Sequence, residues 1–275
     1  MATQLEKADK LRALHARQGA FIVPNPWDAG SARFLTALGF EALATTSAGF
    51  AFSLGRADGN VTLEEKIEHC RVLCAATALP IIADLENCFA DDPKTAAKTI
   101  LRGAEAGLVG GSIEDWNGSE IYDFSLAVER VQAAVEAARS LDFPFALTAR
   151  AENLLRGRMD MDETLRRLQA FEAAGADVLY APGLKTLAEV RIVTGAMKKP
   201  VNVLAGGMQG VTLPLLAAAG AKRISTGGAL ARAAIGEMLR AGREMQEQGG
   251  FEWMARVAPG GEVVKLLEAG GRATI

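Results

Sequence analysis

Asp84-Leu85-Glu86 sets two carboxylates two residues apart, so both project to the same side of an extended segment. A third acid, Glu114, ends the next apolar run. Sharing one enclosed space, three ionised carboxylates would repel strongly, and a cation must lie among them. Hard oxygen donors suit a divalent ion, Mg2+ first and Mn2+ as an alternative, which takes a few carboxylates and keeps waters or ligand oxygens. Arg150, followed at one remove by Glu152, offers a planar fork for an organic carboxylate. The same guanidinium could close an internal salt bridge to Glu114 or Glu152, and the two uses are compatible. Thr45-Thr46-Ser47-Ala48-Gly49 could hold an oxyanion with hydroxyls and backbone N–H groups. Asn25, Asp28 and Tyr180 are further polar residues just after, or at the end of, apolar runs.

For these groups to meet, the runs that carry them must be parallel strands whose carboxyl ends share one rim. The chain supplies that pattern: short β-branched or apolar runs alternate with longer stretches of 3.6-residue periodicity. Eight strands are expected, at Phe21–Pro24, Ala42–Thr46, Pro80–Leu85, Gly107–Ile113, Phe145–Ala149, Asp177–Tyr180, Pro200–Leu204 and Arg223–Thr226. Helices are expected over Thr62–Ala76, Pro93–Ala106, Ser125–Ala138 and Asp160–Ala174. Thr62 with Glu65 forms a capping box, Asp92 precedes Pro93, and Ser125 reads as a cap before Ala127 and Glu129. Gly39, Gly107, Gly175 and Gly220 supply left-handed helix stops. Eight alternating units favour a closed (β/α)8 TIM barrel over an open doubly wound sheet.

The 275 residues, 49% hydrophobic, suit one such domain spanning 1–275, with 236–275 a C-terminal helical extension. The apolar residues of that extension, Phe251, Trp253, Met254 and Val257 among them, must be buried on the barrel or on a second subunit. A net charge of −3 supplies no field for a polyanion, so nucleic acid is not an expected partner. No apolar run reaches membrane-spanning length, and no secretory signal opens the chain. Three cysteines, an odd number, point to a reducing cytoplasm. Cys70 and Cys74, beside His69, read as small buried hydrophobes before they read as a metal pair, and Cys88 reads as packing.

Several segments, in order along the chain, carry a more specific signal. They are Pro24-Asn25-Pro26-Trp27-Asp28-Ala29-Gly30-Ser31-Ala32, Thr46-Ser47-Ala48-Gly49, Leu54-Gly55-Arg56-Ala57-Asp58, Ala83-Asp84-Leu85-Glu86, Ile113-Glu114-Asp115, Thr148-Ala149-Arg150-Ala151-Glu152 and Arg223-Ile224-Ser225-Thr226-Gly227-Gly228. Together they resemble the isocitrate lyase and phosphoenolpyruvate mutase superfamily. The resemblance implies an α/β barrel, Mg2+, substrates with a 2-oxo acid or enolpyruvate core, and a homo-oligomer, a dimer of dimers whose last helix is swapped onto a partner. By position it implies Asp84, Glu86 and Glu114 as the metal shell, partly through water. It implies Arg150 and the Thr46-Ser47 amides as the substrate carboxylate clamp, with Asn25 and Asp84 nearby. Asp58 corresponds to an acid on a mobile loop, although a carboxylate beside Gly59 and Asn60 can also be an ordinary loop residue.

The chain also departs from that family. Lyase members carry a Lys-Lys-Cys-Gly-His loop after the fourth strand, and Asp115–Asp123 here has neither lysine nor cysteine. Mutase members carry a lysine and an asparagine there, which Asn117 or Ser119 could replace in part. Lyases use a glutamate after strand six and an asparagine after strand seven, where this chain has Ala181-Pro182-Gly183 and Ala205-Gly206-Gly207. A smaller ligand than a tricarboxylate is therefore expected, such as oxaloacetate or 2-oxoglutarate. The expected reaction is cleavage of a carbon–carbon bond at C3 through a metal-stabilised enolate, oriented by Arg150. Asp58, Tyr180 or a water must then move a proton. Scission of the C–P bond of a phosphonate is the alternative, disfavoured because no added cationic cluster is visible. A non-catalytic 2-oxo acid binding protein, or a phosphate site at Gly227-Gly228, are the remaining readings.

Overall fold

The structure, a computed structural model, describes residues 2–271; the last four residues of the expected 236–275 extension lie outside it. Eight short strands carry the frame: β1 Phe21–Val23, β2 Leu43–Ala44, β3 Ile81–Ala83, β4 Gly110–Glu114, β5 Ala146–Arg150, β6 Val178–Tyr180, β7 Val201–Leu204 and β8 Arg223–Ser225. All pair in parallel, in the order β1-β8-β7-β6-β5-β4-β3-β2. The remaining gap is bridged by Ala44 N–H donating to the Pro24 carbonyl at 3.1 Å, so the sheet curls into the barrel that eight alternating units imply.

Between the strands run α1 Gln4–Ala16, α2 Ala29–Ala37, α3 Ser47–Ser53, α4 Leu63–Ala76, α5 Pro93–Glu105, α6 Phe124–Arg139, α7 Met161–Ala173, α8 Leu187–Ala196 and α9 Leu213–Ala218. Thr62, Asp92 and Asp160 each accept a backbone N–H as N-caps, and the four glycine stops all have positive φ. Ser125 is not a cap. The helix starts one residue earlier, after Asp123, because Phe124 is already in helical geometry there. The other difference is α3, a seven-residue helix that the sequence pattern does not indicate; Thr46 caps it by accepting from Gly49 N–H at 3.2 Å.

After the eighth unit come α10 Ala229–Gln248, a 3-10 turn at Glu252–Arg256 and α11 Gly260–Gly271. The last of these packs on α2 of the same chain. Gly270 makes that approach possible, since a Cβ there would lie 1.9 Å from the Arg33 carbonyl oxygen. Gly270→Val should therefore release α11 while the barrel still unfolds in one step. Hydrogen exchange should then accelerate over 260–271 and 29–37 alone; unchanged protection of α11 would show that it does not need this contact. Even with α11 docked, Met238, Phe251, Met254 and Val257 remain exposed.

Candidate active site

At the carboxyl ends of the strands, the loops after β2 to β5 enclose a cavity of ≈ 530 Å3, into which Asp58, Asp84, Glu86, Glu114, Arg150 and Arg156 face. Ser47 lies on the same wall. A narrower space of ≈ 60 Å3 continues down the barrel axis, bordered by Asn25, Thr46 and Tyr180. Asp84 and Arg150 border both. The sequence-expected residues thus meet on two levels: the acids, Ser47 and Arg150 above, the three others below.

Arg150 is the electrostatic centre. Its Nη1 donates to Asp84 Oδ1 at 2.9 Å, while Nε and Nη2 donate to Glu152 Oε1 at 3.0 and 2.6 Å. Glu114 Oε2 lies 3.2 Å from Nη2. Burial works against the guanidinium's charge, yet Glu152, Glu114 and Asp84 together hold its proton more tightly than water would. Burial would likewise raise Asp84, but Arg150 and then Lys66 hold that carboxyl below its ordinary value. Glu114 goes the other way: burial lifts it well above the carboxylate range despite Arg150.

Glu86 reaches the cavity from a strained turn. Glu86, Cys88 and Phe89 have φ of 53°, 57° and 56°, a region that costs a non-glycine residue on the order of 1–3 kcal/mol. The turn is held open by Arg130 from α6, which is buried and donates to the carbonyls of Asn87, Ala90 and Asp91. Tyr122 completes the brace, donating to Asp91 and accepting from Asn87 Nδ2. Burial first, and then the charge on Asp84, push Glu86 up to about 7.

The model of the phosphoenolpyruvate phosphomutase family matches residues 11–246. The chain belongs to this family. A solved structure from Burkholderia cenocepacia J2315, described only as a lyase or mutase, is 53% identical over 99% of both chains, with a TM-score of 0.95. A crystal structure of 2,3-dimethylmalate lyase, itself a PEP mutase/isocitrate lyase superfamily member, is 25% identical with a TM-score of 0.83, covering 97% of this chain and 95% of that one. Oxaloacetate decarboxylase of Bradyrhizobium diazoefficiens is 29% identical over 86% of this chain and 85% of its own length. A lyase and a decarboxylase are thus among the relatives of this family member, enzymes that break carbon–carbon bonds.

Three cations of this phosphomutase-family chain escape its sequence pattern. Lys66, on α4 and wholly buried, donates to Thr45 Oγ1 at 3.4 Å, and Thr45 Oγ1 accepts Asp84 N–H at 3.0 Å. Its charge thus sits behind the acids and lowers both Asp84 and Glu86. Arg130 is the second and Arg156 the third. Lys66 and Arg130 lie on amphipathic helices, where long cations usually coat the surface; a Lys or Arg at an otherwise inward position was the available signal.

Other expected residues turn out to be braces. Asn25 donates to the Thr45 carbonyl at 2.8 Å and accepts from Thr226 and Gly227 N–H at 2.8 and 2.9 Å, tying β1 to its two neighbours. Ser47 Oγ donates to Asp84 Oδ2 at 3.1 Å. Tyr180 lies under Arg150, its ring centre 5.0 Å from the guanidinium carbon, and burial pushes its phenol up to about 12. Cys70, Cys74 and Cys88 are buried thiols raised by that burial to about 11, 12 and 12, as packing cysteines should be. The 115–123 segment folds on itself: Trp116 bridges Ile121, and Asn117 Oδ1 accepts three donors from Ser119 and Glu120.

Arg150 lies among the three acids expected to form the metal shell. Among the described residues no three Asp, Glu, His or Cys side chains are spaced to share one ion. Arg150 stands between Asp84 and Glu114, 2.9 and 3.2 Å from them. Two hard carboxylates remain on one turn, Asp84 and Glu86, and Glu86 Oε1 is buried without a hydrogen-bond partner. An orphaned acid oxygen beside a second carboxylate, both on side chains that line the ≈ 530 Å3 cavity, fits Mg2+, which is usually held by one or two carboxylates with waters completing its shell.

Proposed function

We propose that this protein is a Mg2+-dependent lyase that binds a small 2-oxo carboxylate and breaks a carbon–carbon bond at C3. The observation that carries the reading is the orphaned Glu86 oxygen next to Asp84, a few ångströms from a guanidinium, at the rim of a barrel whose family includes lyases. The relatives named a 2,3-dimethylmalate lyase and an oxaloacetate decarboxylase support the substrate class. Asp84 and Glu86 would hold the ion directly, with Glu114 acting through water. Bound there, Mg2+ supplies Lewis-acid stabilisation for negative charge developing on the 2-oxo oxygen. Arg150, hydrogen-bonded to Asp84, orients the substrate carboxylate, and Ser47 keeps Asp84 in place. Asp58, exposed on the loop across the cavity, is the acid free to move a proton at C3. Tyr180 is the weaker candidate, since its raised phenol sits a level lower.

Thermal stabilisation by Mg2+ with oxaloacetate, 2-oxoglutarate, phosphonopyruvate or 2-methylisocitrate, read together with product formation by NMR, tests the reading. A small 2-oxo acid should stabilise and react only with metal present. Response to the tricarboxylate alone would refute the small-ligand assignment. Asp58→Ala should cut turnover while leaving affinity within roughly tenfold, about 1.4 kcal/mol; equal loss of both would make Asp58 a binding residue.

One observation favours the C–P alternative. The cavity holds a second guanidinium, Arg156, a single cation where the sequence suggests no added cationic cluster. Phosphonopyruvate is in the screen for that reason. The exposed apolar residues of the last helices support a homo-oligomer that covers them, testable by sedimentation.

A further inference from the structure

We infer that Arg156 is a specificity-determining residue that recognises a second carboxylate on the substrate, so that the ligand class is a 2-oxo dicarboxylate. The inference rests on the proposed 2-oxo acid reading.

The two guanidiniums facing the cavity differ in what they have left to offer. Arg150 makes three hydrogen bonds to acids, and its side chain is 11% exposed. Arg156 makes ionic contacts only, 3.1 Å from Glu152 Oε2 and 3.9 Å from Glu114 Oε1, and its side chain is 34% exposed. Glu152, wholly buried, keeps two hydrogen bonds from Arg150 on Oε1, while Oε2 has no hydrogen-bond partner and lies beside Arg156. Arg156 can therefore turn a fork toward a ligand without leaving an isolated charge in the protein. Its guanidinium carbon lies over the Trp116 ring, 4.6 Å from the ring centre, a contact that restricts the side chain before a ligand binds.

The backbone supports this placement. Gly183, at φ +100°, lies against the Leu154–Leu155 peptide, and a Cβ there would come 2.8 Å from Leu155 N. Only a glycine after β6 lets the segment carrying Arg156 sit this close to the barrel rim. Leu155, 46% exposed, faces the same cavity and could cover the methylene between two acid groups. With Arg150 and Asp84 at one side and Arg156 on the next loop, the cavity has a proximal and a distal anion position. A single guanidinium shared with Glu152 matches one carboxylate; a dianionic phosphonate would draw more than one free cation.

The test uses the full-length protein with Mg2+ and ligand pairs that differ by one acid group: 2-oxoglutarate against 2-oxopentanoate, with oxalate as the ligand lacking a distal group. Wild type should prefer the dicarboxylate. Arg156→Met should reduce that preference about tenfold while oxalate affinity stays within twofold, and Arg156→Lys should restore part of it. With a turned-over dicarboxylate, KM should rise more than kcat falls. An unchanged preference in Arg156→Met overturns the inference. A larger loss for phosphonopyruvate than for 2-oxoglutarate overturns the carboxylate assignment. Failure of wild type to bind oxalate or any 2-oxo acid would instead refute the proposed function. Melting curves check that both variants fold.

Discussion

Arg150→Met is expected to abolish measurable turnover and to destabilise the barrel. The substitution removes the only cation within hydrogen-bonding distance of Asp84, and the closest partner of both Glu114 and Glu152, among the described residues. Breaking a buried ion pair by deleting one member typically costs about 3–5 kcal/mol, because the charge left behind has lost its water as well as its partner. Here three acids are left, so the upper part of that range is expected from urea unfolding at pH 7. The deficit should shrink as pH falls, since protonating the stranded carboxylates removes the charge that lacks a partner. Arg150→Lys separates the two roles. It keeps the charge, so much of the stability should return, but a point charge cannot donate to Asp84 and Glu152 together and still face a substrate carboxylate. A loss of about 10²–10³ in kcat/KM, ~3–4 kcal/mol, should remain. An Arg150→Met protein as stable and active as wild type would mean that these acids are neutralised by something else.

The strand ends were legible because the alternation of apolar runs with amphipathic stretches has one compact solution; the extended backbone expected through Asp84-Leu85-Glu86 was not, since β3 ends at Ala83 and Glu86 enters a left-handed turn. The pattern alone still puts Asp84, Glu86, Glu114 and Arg150 at one rim, and all four line one cavity. Glycine stops at Gly39, Gly107, Gly175 and Gly220 were readable for a related reason: left-handed backbone is a local property. What escaped depends on tertiary context. The helix at Ser47–Ser53 is too short to be stable alone, and its formation follows from packing on neighbouring helices. Lys66 and Arg130 look like surface residues until their helices are docked and their ammonium and guanidinium groups are found facing inward. Arg156 sits in a loop with no period at all; only the close approach of Gly183 to Leu155 explains why it faces the cavity. The place of Arg150 between Asp84 and Glu114 was only half legible, because residue types alone leave open whether its fork pairs inside the protein or with a ligand.

The strained turn after β3 makes a further expectation quantitative. Glu86 is pushed up to about 7 in the folded protein by burial and by Asp84, against an ordinary 4.5 in the unfolded chain. Between those values the folded state binds a proton that the unfolded chain has released, so this group's contribution to stability falls as pH rises and levels off above about 7. Partial exposure to the cavity screens the effect, leaving on the order of 1–3 kcal/mol. His15 and His69 act oppositely: burial holds them down at about 3, so their contribution is lost as pH falls below 6.5. A comparison with Glu86→Gln isolates the acid from that background. Without metal, the variant should melt a few degrees above wild type at pH 8, about 2–4 °C per kcal/mol, and converge with it near pH 4.5. Mg2+ should reverse the order at pH 8, since the ion satisfies a carboxylate oxygen that otherwise has no partner and cannot do the same for an amide. A difference between the two proteins that stays constant from pH 5 to 8, or an equal Mg2+ shift in both, would show that Glu86 is neither strained electrostatically nor a ligand. The turn braced by Arg130 would then serve only the fold.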